Sequence, residues 1–272
     1  MLKLILEAFI SISGITAASG IVYQNRQIHI VSDNSNYIYT YSITGQKLSK
    51  TALRQSDPME NVAKAAKMDL ESITFDGSRY YLYGSGSTPN RNTRFIWDGK
   101  TVLQEDYSNI YSSLMEKFSI SKEDFNIEGV VHLKDKILFF NRGNGPKGIN
   151  AILEYHPLAA EQSRCIPIEL PKLNGISTGF SDATLVGNEI YFIATAENAK
   201  STYLDGEISG SLLGKIPSDL SGKPETFEIP EKHKFEGITL KEETAQGLMF
   251  LLCEDTDSED DYMTIYSLRV SN

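Results

Sequence analysis

Apolar and polar positions alternate along this chain in short runs separated by turn residues, the pattern of half-buried β-strands. Residues 19–23 lead through Gln24-Asn25-Arg26 into Ile28-His29-Ile30-Val31. A polar loop at 32–36, a run at 37–41 and the turn Thr44-Gly45-Gln46 then open a fourth strand. The next stretch repeats the plan. Ile73-Thr74-Phe75, the pair Asp76-Gly77, Tyr80-Tyr81-Leu82-Tyr83, Phe95-Ile96-Trp97, the pair Asp98-Gly99 and Thr101-Val102-Leu103 follow in order. Asp-Gly pairs between such runs are strong hairpin signals. Ile137-Leu138-Phe139-Phe140, Ile190-Tyr191-Phe192-Ile193 and residues 248–252 are apolar throughout, as expected of strands covered on both faces.

One short phrase recurs. It reads Ser19-Gly20-Ile21-Val22, Glu71-Ser72-Ile73-Thr74, Glu128-Gly129-Val130-Val131, Ser181-Asp182-Ala183-Thr184 and Glu236-Gly237-Ile238-Thr239, at intervals of 52, 57, 53 and 55 residues. A period of this size marks a repeat architecture, in which neighbouring units bury each other's apolar faces. The pattern predicts an all-β chain, folded over residues 1–272 as one five-bladed β-propeller of four-stranded antiparallel blades. After Glu236 there is room for only three strands, so the last blade must take its fourth from residues 2–12. That pairing closes the ring without an exposed edge. Two connections read as helical: residues 57–67, with Pro58 at the first helical position, and residues 108–118, with a further turn at 121–125.

At 272 residues, 40% hydrophobic with 14 Tyr and 12 Phe, the chain can bury a core without disulfide or metal staples. A formal net charge of −10 argues against nucleic acid and anionic membranes as partners, since both need a basic face. No window is apolar enough for a transmembrane helix, and Glu7 interrupts the apolar run that a secretory leader requires. A cytoplasmic monomer is the expectation. Cys165 and Cys253 sit in apolar, strand-like surroundings and read as buried free thiols rather than a disulfide. His29, His132, His156 and His233 lack metal-ligand spacing, and His29 and His132 read as sheet residues. No Gly-x-Ser-x-Gly elbow, His-Glu-x-x-His helix or cysteine pair is present, which sets aside serine-hydrolase and zinc chemistry.

In a propeller the first strand of each blade lines the central channel. Ser19, Glu71, Glu128, Ser181 and Glu236 open those strands, so they should form a ring of oxygens at one channel mouth. Such a ring suits Ca2+, a hard cation with flexible oxygen coordination. Without a cation its carboxylates repel until one protonates. The alternative is a water-filled channel mouth with hydrogen-bonded turns. Each second strand ends on the ring face, so the loops that leave them should surround the ring. Those loops supply Arg91, Arg94 and Arg142 to gather a phosphate or carboxylate, with Asn144, Asn198 and Asp255 as further ligand contacts. Asp33 and Glu197 are the candidate general bases, and Arg142 the group that would neutralise developing charge. Asp255 and Asp257 read either as a second cation site or as a solvated acidic turn.

Several motifs resemble an uncharacterised bacterial propeller family over nearly the whole chain: Ser32-Asp33, Asp69-Leu70-Glu71, Gly84-Ser85-Gly86-Ser87, Asn126-Ile127-Glu128-Gly129, Asn141-Arg142-Gly143-Asn144, Phe180-Ser181-Asp182-Ala183, Ala196-Glu197-Asn198 and Asp205-Gly206. That resemblance implies a fold and no activity. Ser19, Glu71, Glu128, Ser181 and Glu236 are similar, in residue type and blade order, to the central ring of the calcium-activated nucleotidases (soluble apyrases), five-bladed propellers with a ring-bound Ca2+. This likeness implies a metal-dependent phosphoester or phosphoanhydride hydrolase. The Glu-Gly-Ile/Val phrases are more distantly similar to phytase-like and esterase-like propellers. Two readings follow. One is a calcium-centred propeller that binds or hydrolyses a phosphorylated or otherwise anionic small molecule on the ring face. The other is a non-catalytic scaffold for a protein or peptide, with structural calcium. A deep polar pocket over the ring favours the first, and a broad apolar patch the second.

Overall fold

The computed structural model describes residues 2–15, 17–198, 206–255 and 262–271. After an N-terminal strand β1 (Lys3–Ser13) the first blade comprises β2 (Gly20–Gln24), β3 (Gln27–Val31), β4 (Tyr37–Ser42) and β5 (Lys47–Ala52). The second has β6 (Leu70–Phe75), β7 (Tyr80–Gly84), β8 (Thr93–Trp97) and β9 (Val102–Asp106), followed by helix α1 (Ser108–Phe118). The third has β10 (Ile127–His132), β11 (Ile137–Asn141), β12 (Ala151–Tyr155) and β13 (Arg164–Pro167). The fourth has β14 (Thr178–Val186), β15 (Glu189–Asn198), β16 (Glu207–Pro217) and β17 (Glu225–Glu228). The last has β18 (Phe235–Thr244), β19 (Gly247–Glu254) and β20 (Tyr262–Ser271), with β1 as its outermost strand. The result is the expected five-bladed propeller of four-stranded antiparallel sheets, with the two ends of the chain sharing a blade.

The apolar runs explain the packing. Five clusters of buried side chains lie in the five seams between neighbouring blades. Leu251, Cys253 and Ile265 meet Ile21 and Ile30 where the last blade joins the first. Phe140 and Phe180 meet edge to face, 5.0 Å apart, between the third and fourth. Second strands are sandwiched between seams, and β11 is buried at every position. Each fully buried Phe or Leu contributes roughly 1.5–3 kcal/mol.

Closure by β1 carries a testable consequence. It pairs antiparallel with β20 from Lys3↔Ser271 to Ser13↔Tyr262, and Phe9, Ile10 and Ile12 cover the seam between last and first blades. Deleting residues 2–13 exposes the β20 edge and uncovers that seam. The expected result is loss of the cooperative melting transition, or concentration-dependent association through the free edge. Circular dichroism and gel filtration check it. A monomeric truncate with the wild-type melting curve would count against this closure.

The recurring phrase has a backbone cause. Leu70 pairs with Gly84 and Ser72 with Tyr83, leaving Glu71 unpaired in a bulge. The register slips in the same way at Glu128, Ser181 and Glu236. In the first blade the Ser19 N–H donates to the Val31 carbonyl at 3.0 Å, although Val31 pairs with Gly20. A bulge re-aims one side chain out of the strand alternation, and here it is always the ring residue. The residue that follows is Gly20, Ser72, Gly129 or Gly237 in four blades, because the next inner strand passes close. A β-carbon on Gly129 would stand 2.9 Å from the Ala183 nitrogen. Gly129→Val should therefore cost about 1–3 kcal/mol by overpacking, read as a lower urea midpoint. An unchanged midpoint contradicts that account.

One expected element is absent. Residues 57–67 form bends and a single turn at 64–66 rather than a helix. Apart from the turn in which the Ala66 and Lys67 N–H groups donate to the Ala63 carbonyl, their backbone groups bond across to the first blade's loop. The Val62 N–H donates to the Asn34 carbonyl and the Asn36 N–H to the Met59 carbonyl, each at 2.9 Å. Tertiary hydrogen bonds have overridden helix propensity. Helix α1 forms as expected and buries Tyr111 and Leu114 against Phe139 of the third blade. Both cysteines are free, Cys253 buried and Cys165 half-buried. His29 and His132 are satisfied sheet residues: the His29 ring bonds Thr40 and Tyr80, each at 3.0 Å, and His132 bonds the Tyr83 hydroxyl at 2.7 Å. Among the described residues no helix is long and apolar enough to cross a membrane.

Candidate functional site

The bulged ring residues open into a cavity of about 560 Å³, within the usual range of small-molecule sites. Ser19, Glu71, Glu128 and Glu236 line it from the ring. Asp33, Arg91, Arg142, Asn144 and Asp255 line it from the loops that leave the second strands, and Glu197 from the end of β15. Strand direction alone had placed these loops on the ring face, and they are there.

Two expected residues stand apart. Ser181 is fully buried, does not line the cavity, and its hydroxyl has no hydrogen-bond partner. Arg94 belongs to the third strand of its blade, not to the loop before it. It bonds Glu105 at 2.8 Å and lies 4.7 Å from the Tyr107 ring centre, away from the cavity lining. The Asn198 side chain lies outside the described residues, as does Asp257.

The sequence reading placed Arg91 and Arg142 on this face but missed Lys67 and Lys234, and the pairing of all four with the acids. Arg142 reaches into the ring. Its Nη2 donates to Glu197 Oε2 at 3.0 Å, and its Nη1 stands 3.4 Å from Glu128 Oε1 and 3.7 Å from Glu236 Oε1. Lys67 pairs with Asp33, and its Nζ is 2.8 Å from Asp69 Oδ1. Arg91 donates to Asp69 Oδ2 at 2.6 Å. Lys234 stands 3.6 Å from Glu236 and 3.5 Å from Asp255. Asp69, Asn126 and Lys234 each lie two positions before a ring residue, and all three line the cavity. A polar side chain at that offset in three repeats is the signal that would have found them.

Burial raises the pKa of every ring carboxyl. Glu236 is pushed up to about 8, with Arg142 and Lys234 opposing the rise. Glu128 is raised by burial against the same pull of Arg142. Asp33 is raised by burial, with Lys67 opposing. Burial disfavours the charge on Lys67, yet Asp69, Asp33 and Glu71 outweigh it and hold that ammonium above its usual value. Glu71 is held well above the carboxylate range, first by burial and then by Asp69, Glu128 and Asp33. Its carboxyl faces the cavity, and among the described residues it makes no hydrogen bond or ion pair.

This arrangement bears on calcium. A Ca2+ shared by all five ring positions would press against the Arg142 guanidinium, and the Ser181 hydroxyl lies outside the cavity. The ring residues therefore do not fit a five-oxygen axial metal site. Asp33, Asp69 and Glu71 converge, with carboxylate oxygens within 4.8 Å of one another, but Lys67 already sits on two of them. The protein supplies side-chain cations where the sequence pattern called for a metal.

Solved structures of similar shape are diverse. The Myxococcus xanthus glutaminyl cyclase superposes with a TM-score of 0.54 at 12% identity, over 98% of this chain and 96% of its own. A luciferin-regenerating enzyme gives 0.54 at 10%, over 99% and 97%. The PQQ-bound aldose sugar dehydrogenase of Streptomyces coelicolor gives 0.53 at 11%, over 99% of both. Likeness at such identities shows the propeller fold alone. No curated protein matches the sequence. Residues 14–270 match the family of unknown function DUF6929, and the chain belongs to that family.

Proposed function

We propose that the ring-face cavity binds a small polar molecule carrying an anionic group, and that Glu71 exchanges a proton with it. The observation that carries this reading is the Glu71 carboxyl: it faces the cavity, makes no direct bond among the described residues, and has its pKa raised by burial and its acidic neighbours. A carboxyl tuned upward inside a cleft is the usual form of a general acid–base group. Asp33 and Glu197 are less suited to that task. Asp33 is tied to Lys67, and Glu197 accepts from Arg142 and from the Gly206 N–H at 2.9 Å. Arg142 is the anion contact, since a guanidinium has five donors and only the bond to Glu197 is short. In a phosphoester substrate water would attack phosphorus as the bond to the leaving oxygen breaks, Glu71 giving its proton to that oxygen, the water's proton passing to the released phosphate, and Arg142 neutralising the transferring group.

The polar cavity favours a small molecule over a protein partner. Among the described residues the exposed large apolar side chains, Leu103, Leu158, Leu185 and Tyr262, fall on four different blades and form no common patch. A second reading keeps calcium, admitted at Asp33, Asp69 and Glu71 by displacement of Lys67, because those three carboxylates already converge.

Calorimetric titration of nucleotides, inositol phosphates and sugar phosphates, with and without calcium and in two buffers of different ionisation enthalpy, tests both. The expected result is submillimolar binding of at least one anion without calcium, with proton exchange that Glu71→Gln removes. Binding only in calcium supports the second reading. No binding in either condition overturns both.

A further inference from the structure

The ring is only half filled. Arg142 occupies the side formed by Glu128, Glu197 and Glu236 Oε1. The other side runs from Glu236 through Ser19 to Glu71, across the fifth, first and second blades, whose inner strands β18, β2 and β6 are consecutive neighbours around the axis. Glu236 is only 5% exposed and lines the cavity, yet its Oε2 has no hydrogen-bond partner. Glu71 faces the same cavity without a direct bond. Ser19 Oγ accepts the Asp33 N–H at 3.1 Å and keeps one lone pair open. A cation in this arc would lower the raised pKa of both carboxyls and displace their protons, leaving carboxylates that accept its N–H groups.

We propose that the Glu236–Ser19–Glu71 arc is a subsite for a ligand ammonium group, which makes the cavity's ligand an amine. That the same molecule also carries an anion rests on the reading above.

The ligand count selects an ammonium over a metal. Ca2+ takes six to eight oxygens, but the neighbouring carboxylates Asp33, Asp69 and Glu128 are already engaged by Lys67 and Arg142. Four oxygens remain, Glu236 Oε2, Ser19 Oγ and the two of Glu71, enough for the three N–H donors of an ammonium and fewer than calcium takes. The adjoining corner shows the same solution within the protein: there the Lys67 ammonium is the cation that Asp33 and Asp69 accept.

The test uses the full chain and four probes: ethanolamine phosphate, ethyl phosphate, methylammonium and calcium chloride. Binding is read by calorimetry for the phosphates and by NMR shift changes at Ser19, Glu71 and Glu236 for methylammonium and calcium. Ethanolamine phosphate should bind about 10- to 150-fold tighter than ethyl phosphate, the range of a charge-assisted contact. Glu71→Gln and, independently, Glu236→Gln should erase that difference in folded protein. Equal affinity of the two phosphates overturns the ammonium subsite and leaves the anion reading standing. Methylammonium shifts at the arc without binding of either phosphate keep the subsite and remove the anion reading. Calcium that displaces methylammonium from the arc, or no response to any amine, overturns the subsite.

Discussion

Arg142→Ala should cost roughly 3–5 kcal/mol of folding stability near pH 8, the usual penalty for removing one partner of a buried ion pair. The guanidinium is buried among Glu128, Glu197 and Glu236. The loss should shrink as the pH falls toward 5. Glu236, whose pKa is already about 8 with Arg142 in place, then takes up its proton and no longer needs a counter-charge. Urea unfolding of wild type and mutant at the two pH values gives the comparison. A loss below about 1 kcal/mol at pH 8 would mean that the ring carboxyls do not depend on Arg142. Arg142→Lys should recover only part of the loss, because one ammonium cannot span three carboxylates as the planar fork does.

Glu71→Gln is expected to stabilise the protein at alkaline pH. Glu71 and Glu236 hold their protons more tightly in the folded chain than at the ordinary value of 4.5. Their contribution to stability is complete below 4.5 and is lost as the pH rises through the folded values, about 8 for Glu236 and well above the ordinary range for Glu71. Wild-type stability should therefore fall across that window. Glu71→Gln removes one of these groups, so its stability should fall less steeply and exceed that of wild type at the alkaline end. Denaturant midpoints at a series of pH values above 4.5 give the answer. Parallel curves for the two proteins contradict the raised Glu71 pKa.

Much of the fold was legible because the repeated phrase reports a repeated backbone event. A bulge at Glu71, Glu128, Ser181 and Glu236 turns one side chain toward the axis, and close inner strands demand a small residue next, so sequence and geometry recur together. The segment at 57–67 was not legible, since its good helix formers are outweighed by hydrogen bonds to Asn34 and Asn36, which no local pattern announces. In the site, strand direction was enough to bring Asp33, Arg91, Arg142 and Glu197 to one cavity. It could not show their pairing. Lys67 fell at the end of an expected helix and Lys234 carried no expectation, yet both pair with buried acids. Arg94 was misplaced by a strand boundary: β8 begins at Thr93, so its side chain follows the sheet instead of the loop. The preference for calcium followed from counting carboxylates without their cationic partners.

The central claim is that this cavity is served by the protein's own cations and raises the Glu71 pKa for proton exchange with a ligand. Carboxyl 13C NMR titration, with the Glu71 resonance assigned by Glu71→Gln, addresses it most directly. The account predicts a Glu71 midpoint well above 4.5 that millimolar calcium leaves in place. A midpoint near 4.5, or one that collapses when calcium is added, would contradict it.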